Sequence, residues 1–353
     1  MRASYLGNLG ALALGKEPAR PLLFSFFVTH RCAWSCPYCS DGGGAPFKDS
    51  RISELSAAEA GRLFGILRRE SGSLDVTGGE PLVRPDLEDV LEQARARGFH
   101  VTLNTKGADL PDRPEVLRLC DVLILSVDAL DPGKLAEILG GRDHAESVRE
   151  ALAYALAGRK DKGPRVVLGV VAMPDNLDEV EKVLALAEDE RCGFQFSPQI
   201  IGMTVHPALR GNARYRDLVD RISAAKRRGA RVMGVPGYFR AVRDFRPFRC
   251  HPLLMPVIRP DGKLYYPCLE LGWADADILA AGSYPAALES GRRTRGDIPE
   301  CRDRCHLFCH MGLSLLQRSP LAALREQRIW EGRIGMVTGA TRLIPPRSGG
   351  AGS

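Results

Sequence analysis

Cys32-Ala33-Trp34-Ser35-Cys36-Pro37-Tyr38-Cys39 is the stretch on which the reading of this chain turns. Three thiols fall within eight residues, directly after the apolar run Leu22–Val28, which reads as a strand. Three thiolates on one loop can surround a metal centre, but they leave it one ligand short. A structural zinc site normally takes four protein ligands, so zinc here has to borrow a donor such as His30. A cubane iron–sulfur cluster on three cysteines instead keeps one iron open to another molecule.

Outward from this loop the chain alternates short apolar runs with helical periodicity. Ser56 and Glu59 form a capping box that opens a helix with Leu63, Phe64 and Leu67 on one face. Leu74–Val76 reads as a short strand. Leu87, Val90, Leu91 and Ala94 repeat at helical spacing, and Gly98 suits the C-terminal cap. Strands are expected at Phe99–Leu103, Val122–Val127, Val166–Val171 and Gly193–Phe196, with helices through Val148 and Leu152 and through Val180, Val183 and Leu184. Six strand–helix units with continuous apolar strands predict a parallel sheet covered by helices, an α/β fold of the partial (β/α)6 TIM-like barrel kind. Functional groups then belong in the loops that follow the strand C-termini.

Three such loops carry further signals. Thr77-Gly78-Gly79-Glu80-Pro81 follows the second strand, Asn104-Thr105-Lys106-Gly107 the third, and Ser126-Val127-Asp128 the fourth. Glycines let backbone approach a ligand closely, and a carboxylate among them can accept charge-assisted hydrogen bonds from an ammonium. The C-x3-C-x2-C spacing with an aromatic before the last Cys, together with these loops in this order, resembles the radical S-adenosylmethionine (SAM) superfamily. The resemblance covers about residues 22–200. It implies a SAM-binding [4Fe-4S] cluster on Cys32, Cys36 and Cys39, with Gly78, Gly79, Glu80 and Pro81 receiving the SAM amino group. It also implies that Tyr38, Asn104, Ser126 and Asp128 contact SAM or substrate. In that family the reduced cluster splits SAM to a 5′-deoxyadenosyl radical that takes hydrogen from the substrate, with an electron donor such as flavodoxin or ferredoxin.

Beyond residue 225 the alternation fails, and Pro256–Pro267 reads as a hairpin turning at Asp261-Gly262. Five more cysteines lie here: Cys250, Cys268, Cys301, Cys305 and Cys309. Cys250-x11-Gly262-x5-Cys268 resembles the SPASM or twitch auxiliary-cluster module of the same superfamily, with a hairpin one residue longer, which a β-bulge would absorb. The resemblance implies an auxiliary [4Fe-4S] cluster on Cys250, Cys268 and two of the other three. The spacing of Cys301, Cys305 and Cys309 would put all three on one helix face. A zinc-stabilised domain is the alternative, and His306 and His310 read as polar neighbours. The expected organisation is an N-terminal arm over 1–21, the barrel over 22–225, a small cysteine-rich auxiliary-cluster domain over 226–320, and a helix with a disordered tail over 321–353.

Composition is consistent with this. Hydrophobic residues make up 44% and charged residues 26% of the 353, ordinary for a globular chain. A net charge of +6 is too diffuse to argue for nucleic acid. No apolar run reaches the roughly 18 residues of a membrane span, and the N-terminus lacks a cleavage site, so neither membrane nor export is expected and the location is read as cytoplasmic. Ten cysteines in two clusters, with Cys120 and Cys192 isolated, suit metal ligation in a reducing compartment better than disulfides. The basic residues from Lys226 to Arg249 read as a solvated surface, with an anion-attracting mouth as the alternative, while Asn176 and Ser197-Pro198-Gln199 are positioned to touch SAM or substrate. The resemblance implies a small molecule or a peptide as substrate. The short stretch before the first strand favours a small molecule, whereas a ribosomal-peptide maturase, a molybdopterin-precursor cyclase and a non-enzymatic metal scaffold are the other readings.

Overall fold

The computed structural model describes residues 2–39, 52–158, 163–302 and 305–326. Most of the expected C-terminal helix and tail over 321–353 lies outside the described residues. Six strands form the core: β1 Phe24–Thr29, β2 Ser73–Gly78, β3 His100–Thr105, β4 Val122–Ser126, β5 Arg165–Ala172 and β6 Gly193–Pro198. They lie in chain order, each parallel to the next. Helices α1 Arg2–Ala13, α2 Ala57–Leu67, α3 Leu87–Ala96, α4 Pro114–Leu119, α5 Pro132–Leu139, α6 Arg142–Gly158, α7 Leu177–Asp189 and α8 Ala213–Arg228 accompany them. The expected six-unit α/β barrel is the observed fold.

Local chemistry sets the helix limits. The Ser56 hydroxyl accepts from the Glu59 N–H, and the Glu59 carboxylate accepts from the Ser56 N–H at 2.9 Å, the reciprocal box that starts α2. Gly98 closes the turn after α3 at φ +75°. Asn212 caps α8, which runs to Arg228 before Gly229 turns at φ +105°, so the expected boundary at 225 falls inside a helix.

The strands are not uniformly apolar, as their sequence reading had them. In β3, Val101 and Leu103 are buried while His100, Thr102 and Asn104 are half-buried, and β6 alternates likewise at Phe194, Gln195, Phe196 and Ser197. The apolar face packs under the helices; Phe26 of β1 meets Phe64 of α2 edge-on with ring centroids 5.5 Å apart. The other face, concave, is lined by polar side chains.

The C-terminal segment completes the molecule. A short antiparallel pair, β7 Ile200–Ile201 and β8 Thr204–Val205, precedes α8. After α9 Pro236–Arg243, strands β9 Val257–Ile258, β10 Lys263–Leu264 and β11 Ala276–Asp277 form, followed by α10 Ile278–Ala281, α11 Tyr284–Arg295 and α12 Leu313–Gln317. The expected hairpin is present, with Gly262 at φ +82° in its turn. It extends the barrel sheet, because β9 runs parallel to β1 and the full order is β11-β10-β9-β1-β2-β3-β4-β5-β6. The ladder of β10 stops at Leu264, four residues before Cys268, so no bulge is needed to reach that thiol.

Cys301, Cys305 and Cys309 do not share a helix face. Cys301 and Cys305 lie in irregular backbone, Cys305 at φ +52°, and only Cys309 falls in a helical turn, the π-turn Phe308–Gly312. Competing backbone bonds explain this: the Cys250 N–H donates to the Cys301 carbonyl and the Cys305 N–H to the Met203 carbonyl, so both groups of the helical bond from Cys305 to Cys301 are taken elsewhere. The π-turn then crosses the open side of the barrel. The Phe308 N–H donates to the Ser197 hydroxyl of β6 at 3.2 Å, while Cys309 packs against the cluster of Phe27, Met255, Val257, Tyr265 and Ala274.

Candidate cofactor site at the strand ends

The first cysteine loop leaves β1 at Thr29 and is held against the loop after β2 by backbone bonds. The Gly79 N–H donates to the Thr29 carbonyl and the Glu80 N–H to the Arg31 carbonyl, both at 2.9 Å. A Cβ on Gly79 would stand 2.2 Å from the Arg31 carbonyl oxygen, and one on Gly78, at φ +129°, would stand 2.2 Å from that of Thr29. The glycines are therefore required by this close approach. Cys36 is buried, Cys32 and Cys39 are half-buried, and the Cys39 N–H closes a turn on the Cys36 carbonyl at 3.1 Å. Burial pushes the Cys32 thiol up to about 11. Ligation by a cationic centre supplies the opposing force that makes such a thiol a thiolate.

Among the described residues, no three His, Cys, Asp or Glu side chains converge as around a single ion. Burial pushes the His30 imidazole down to about 4, which leaves it in the neutral form a metal would take. Thiols spread over one loop suit a polynuclear cluster, whose ligands attach to separate irons. The donor set and the bare glycine backbone beside it fit a three-thiolate cluster with an adjoining small-molecule site.

Glu80 is buried, and its carboxylate does structural work. Its Oε1 accepts from the Leu82 N–H at 3.0 Å and from the Thr105 hydroxyl, and its Oε2 accepts from the Lys106 N–H at 2.9 Å. Burial raises its pKa, and these donors oppose that rise. Pro81 follows it as the first residue of a short 3-10 turn, Pro81–Val83. Asn104 and Ser126 stand side by side on the concave face, with the Ser126 hydroxyl 3.5 Å from the Asn104 Oδ1.

Asp128 is buried and engaged. Its Oδ1 accepts from the Val171 N–H at 2.9 Å, and its Oδ2 accepts from the Tyr38 hydroxyl and from Lys106 Nζ, the latter at 2.8 Å. Lys106 Nζ also donates to the Tyr38 hydroxyl at 2.7 Å. Burial alone would lower the Lys106 pKa, yet Asp128 and Cys36 hold it above the ordinary ammonium range. Lys106 was not singled out as a site residue in the sequence; the one signal was a charge in a turn otherwise made of small residues. Asn176 is wholly occupied: its Oδ1 accepts from the Met173 N–H, and its Nδ2 donates to the Asp128 and Val171 carbonyls. Its role is to brace the loop that carries Asp128.

The second group of cysteines gathers as well. Burial raises the Cys250 thiol first, and the proximity of Cys301, Cys268 and Cys309 adds to it; Cys305 feels Cys301, Cys268 and Cys250 in the same way. Cys268 is pushed up to about 11 and Cys309 to about 12, chiefly by burial. Five neighbouring thiols, Cys305 buried and the others half-buried, fit a thiolate-bound centre with one to spare. His306 lies edge-on to Phe245 and Phe248 at 5.5 and 5.7 Å, a packing role. Cys120 and Cys192 are buried apart from either group. The basic stretch is largely paired, Lys226 with Glu326, Arg228 with Glu188 and Arg243 with Asp220, as a solvated surface requires.

Fold and site together define a partial parallel barrel that carries a three-cysteine loop at its strand ends. Residues 26–187 match the radical SAM superfamily. The PqqA peptide cyclase of Streptomyces rochei is 33% identical over 167 residues, 46% of this chain and 43% of that protein. The PqqA peptide cyclase of Ruegeria pomeroyi is 32% identical over 187 residues, 51% of this chain and 47% of that protein. The chain thus matches less than half the length of each of these relatives. Among solved structures, Streptococcus suis SuiB bound to S-adenosylmethionine superposes with TM-score 0.54 at 13% identity, covering 73% of this chain and 63% of SuiB. The structure of anSMEcpe with bound AdoMet and Cp18Cys peptide gives TM-score 0.53 at 16% identity, covering 88% and 99%. Both structural likenesses concern the fold. Among the described residues, no helix is long and apolar enough to cross a membrane.

Proposed function

We propose that this protein is a radical SAM enzyme whose substrate is a peptide. The observation that carries the reading is the three-thiol loop hydrogen-bonded, backbone to backbone, to a double glycine that has no room for a side chain. Cys32, Cys36 and Cys39 would hold the [4Fe-4S] cluster, and Gly78, Gly79, Glu80 and Pro81 would form the shoulder for SAM. When bound, these groups supply reductive cleavage of SAM and hydrogen abstraction from the substrate. The chain's own part is to orient and exclude water. Tyr38 and Asp128, tied through Lys106, stiffen the wall beside Cys36, while Asn104 and Ser126 present polar groups on the concave face. The names of the relatives and of the superposing structures, with a bound peptide in one, favour a peptide over the small molecule that the short N-terminal stretch suggested.

Cys250, Cys268 and two of Cys301, Cys305 and Cys309 would carry an auxiliary cluster in a SPASM- or twitch-type module. A flavodoxin- or ferredoxin-like protein would deliver the electron in the cytoplasm. Anaerobically reconstituted, dithionite-reduced protein is expected to convert SAM into 5′-deoxyadenosine and methionine, and the triple change of Cys32, Cys36 and Cys39 to Ala to abolish it. Continued SAM cleavage by that variant, measured by chromatography of the nucleoside, removes the first loop from the site.

A further inference from the structure

The N-terminal helix builds one wall of a groove of about 370 Å³, whose other wall includes Arg249 and His251 on either side of Cys250. Leu9, Leu12 and Ala13 of α1 line it, faced by Arg249, His251, Arg318 and Pro320. The walls are fixed: the Tyr5 hydroxyl donates to the Leu316 carbonyl at 3.0 Å, and Gln317 Nε2 donates to the Tyr5 carbonyl at 3.1 Å. Among the described residues, five large apolar side chains are exposed; four of them are Leu6 on α1, Leu14 just beyond it, and Leu321 and Leu324 in the helical segment 320–326, the two segments that give Leu9, Leu12, Ala13 and Pro320 to the groove. Exposed leucine gathered on these two segments marks a surface made to be covered.

The charges at the groove select the partner. Lys16 lines it and, like Arg318, has no acidic partner among the described residues. Arg249 shares Glu17 with His251, the carboxylate meeting Arg249 at 3.2 Å and His251 Nδ1 at 2.5 Å. His251 is wholly buried, so the cations exposed at the groove are Lys16, Arg318 and Arg249. The chain's own residues 327–353 suit this surface badly, since Arg328, Arg333, Arg342 and Arg347 outnumber the single Glu331 there.

We propose that this groove docks an acidic, amphipathic helical segment of the peptide substrate, leucine-type side chains entering between α1 and residues 320–326 and carboxylates meeting Lys16 and Arg318. The proposal rests on the reading of the substrate as a peptide. Docking here holds the substrate by a segment other than the one that reacts.

The test uses anaerobically purified holoenzyme and fluorescence anisotropy of a labelled Leu/Glu amphipathic peptide of about 16 residues, long enough to form a helix. The Glu peptide is expected to bind, more weakly as salt rises, and its Lys-for-Glu counterpart to bind at least tenfold more weakly. K16E/R318E and, separately, L321D are each expected to weaken the Glu peptide about tenfold or more. All three positions are exposed, so folding is spared, and SAM cleavage without peptide is expected to stay at the wild-type rate. Equal binding of the two peptides, affinity indifferent to both variants, or a wild-type dimer that L321D dissolves would each overturn the proposal. Loss of SAM cleavage in protein that still binds the Glu peptide would sink the enzymatic reading and leave the groove standing.

Discussion

Asp75 is the residue whose behaviour the sequence least announced. It stands on the concave face of β2, where Ser25 Oγ donates to its Oδ2 at 3.2 Å, while its Oδ1 is buried without a partner. Burial pushes it from 3.8 up to about 7. The unfolded chain ionises near the lower value, so between about pH 4 and 7 the folded protein holds a proton that the unfolded chain has released. Stability is therefore highest below the lower value, falls as pH rises towards 7, and stays reduced above it. Asp75→Asn keeps a polar group beside Ser25 and removes the titration. Its melting temperature relative to wild type is expected to be higher at pH 8 than at pH 5 by roughly 2–4 °C for each kcal/mol involved. A constant difference across this range, measured by thermal scanning, shows that Asp75 does not titrate there.

At the scale of elements, the contact between the loops after β1 and β2 decides whether a site exists. Gly79 faces the carbonyl oxygens of Arg31 and His30 at 2.2 and 2.7 Å from where a Cβ would lie. Backbone atoms cannot step aside as a flexible side chain can, so Gly79→Ala must push the cysteine loop away from the glycine shoulder. That variant is expected to fold, because β1 to β6 remain paired, yet to hold about half the wild-type iron and to lose SAM cleavage by at least a hundredfold. Wild-type iron and activity in Gly79→Ala would mean that the close approach is unimportant. This contact was half legible: the glycines and cysteines were plain in the sequence, but their hydrogen bonds join residues some fifty positions apart. Glu80 makes the same point. Read as a carboxylate waiting for an ammonium, it also anchors the loop after β3 through Lys106 and Thr105.

For the whole molecule, the two cysteine groups lie on one continuous sheet, since β9 extends it beyond β1. With both groups filled by cubanes, anaerobically purified protein is expected to carry about eight irons, four per cluster. Changing Cys32, Cys36 and Cys39 to Ala should leave about half. Cys250→Ala or Cys268→Ala should lose the other half and retain SAM cleavage, because the first loop hangs on β1 and β2 rather than on the hairpin. Zinc in the second group, found by elemental analysis, would replace the auxiliary cluster by a structural ion.

The sequence by itself determined the barrel, because apolar periodicity and capping are local and each strand–helix unit carries its own signals. Ser56 with Glu59, Gly98 and the run of six strands were readable without neighbours. It also offered the first candidate site, whose three thiols sit within one loop. The rest depended on partners remote in the chain. Asp128 is bound by Lys106 and Tyr38, Asn176 is spent on bracing, and the Cys301–Cys309 segment is drawn out of helix by Cys250 and Met203. A side chain's type states what it can bind; which of its atoms remain free is set by the groups that folding brings to it.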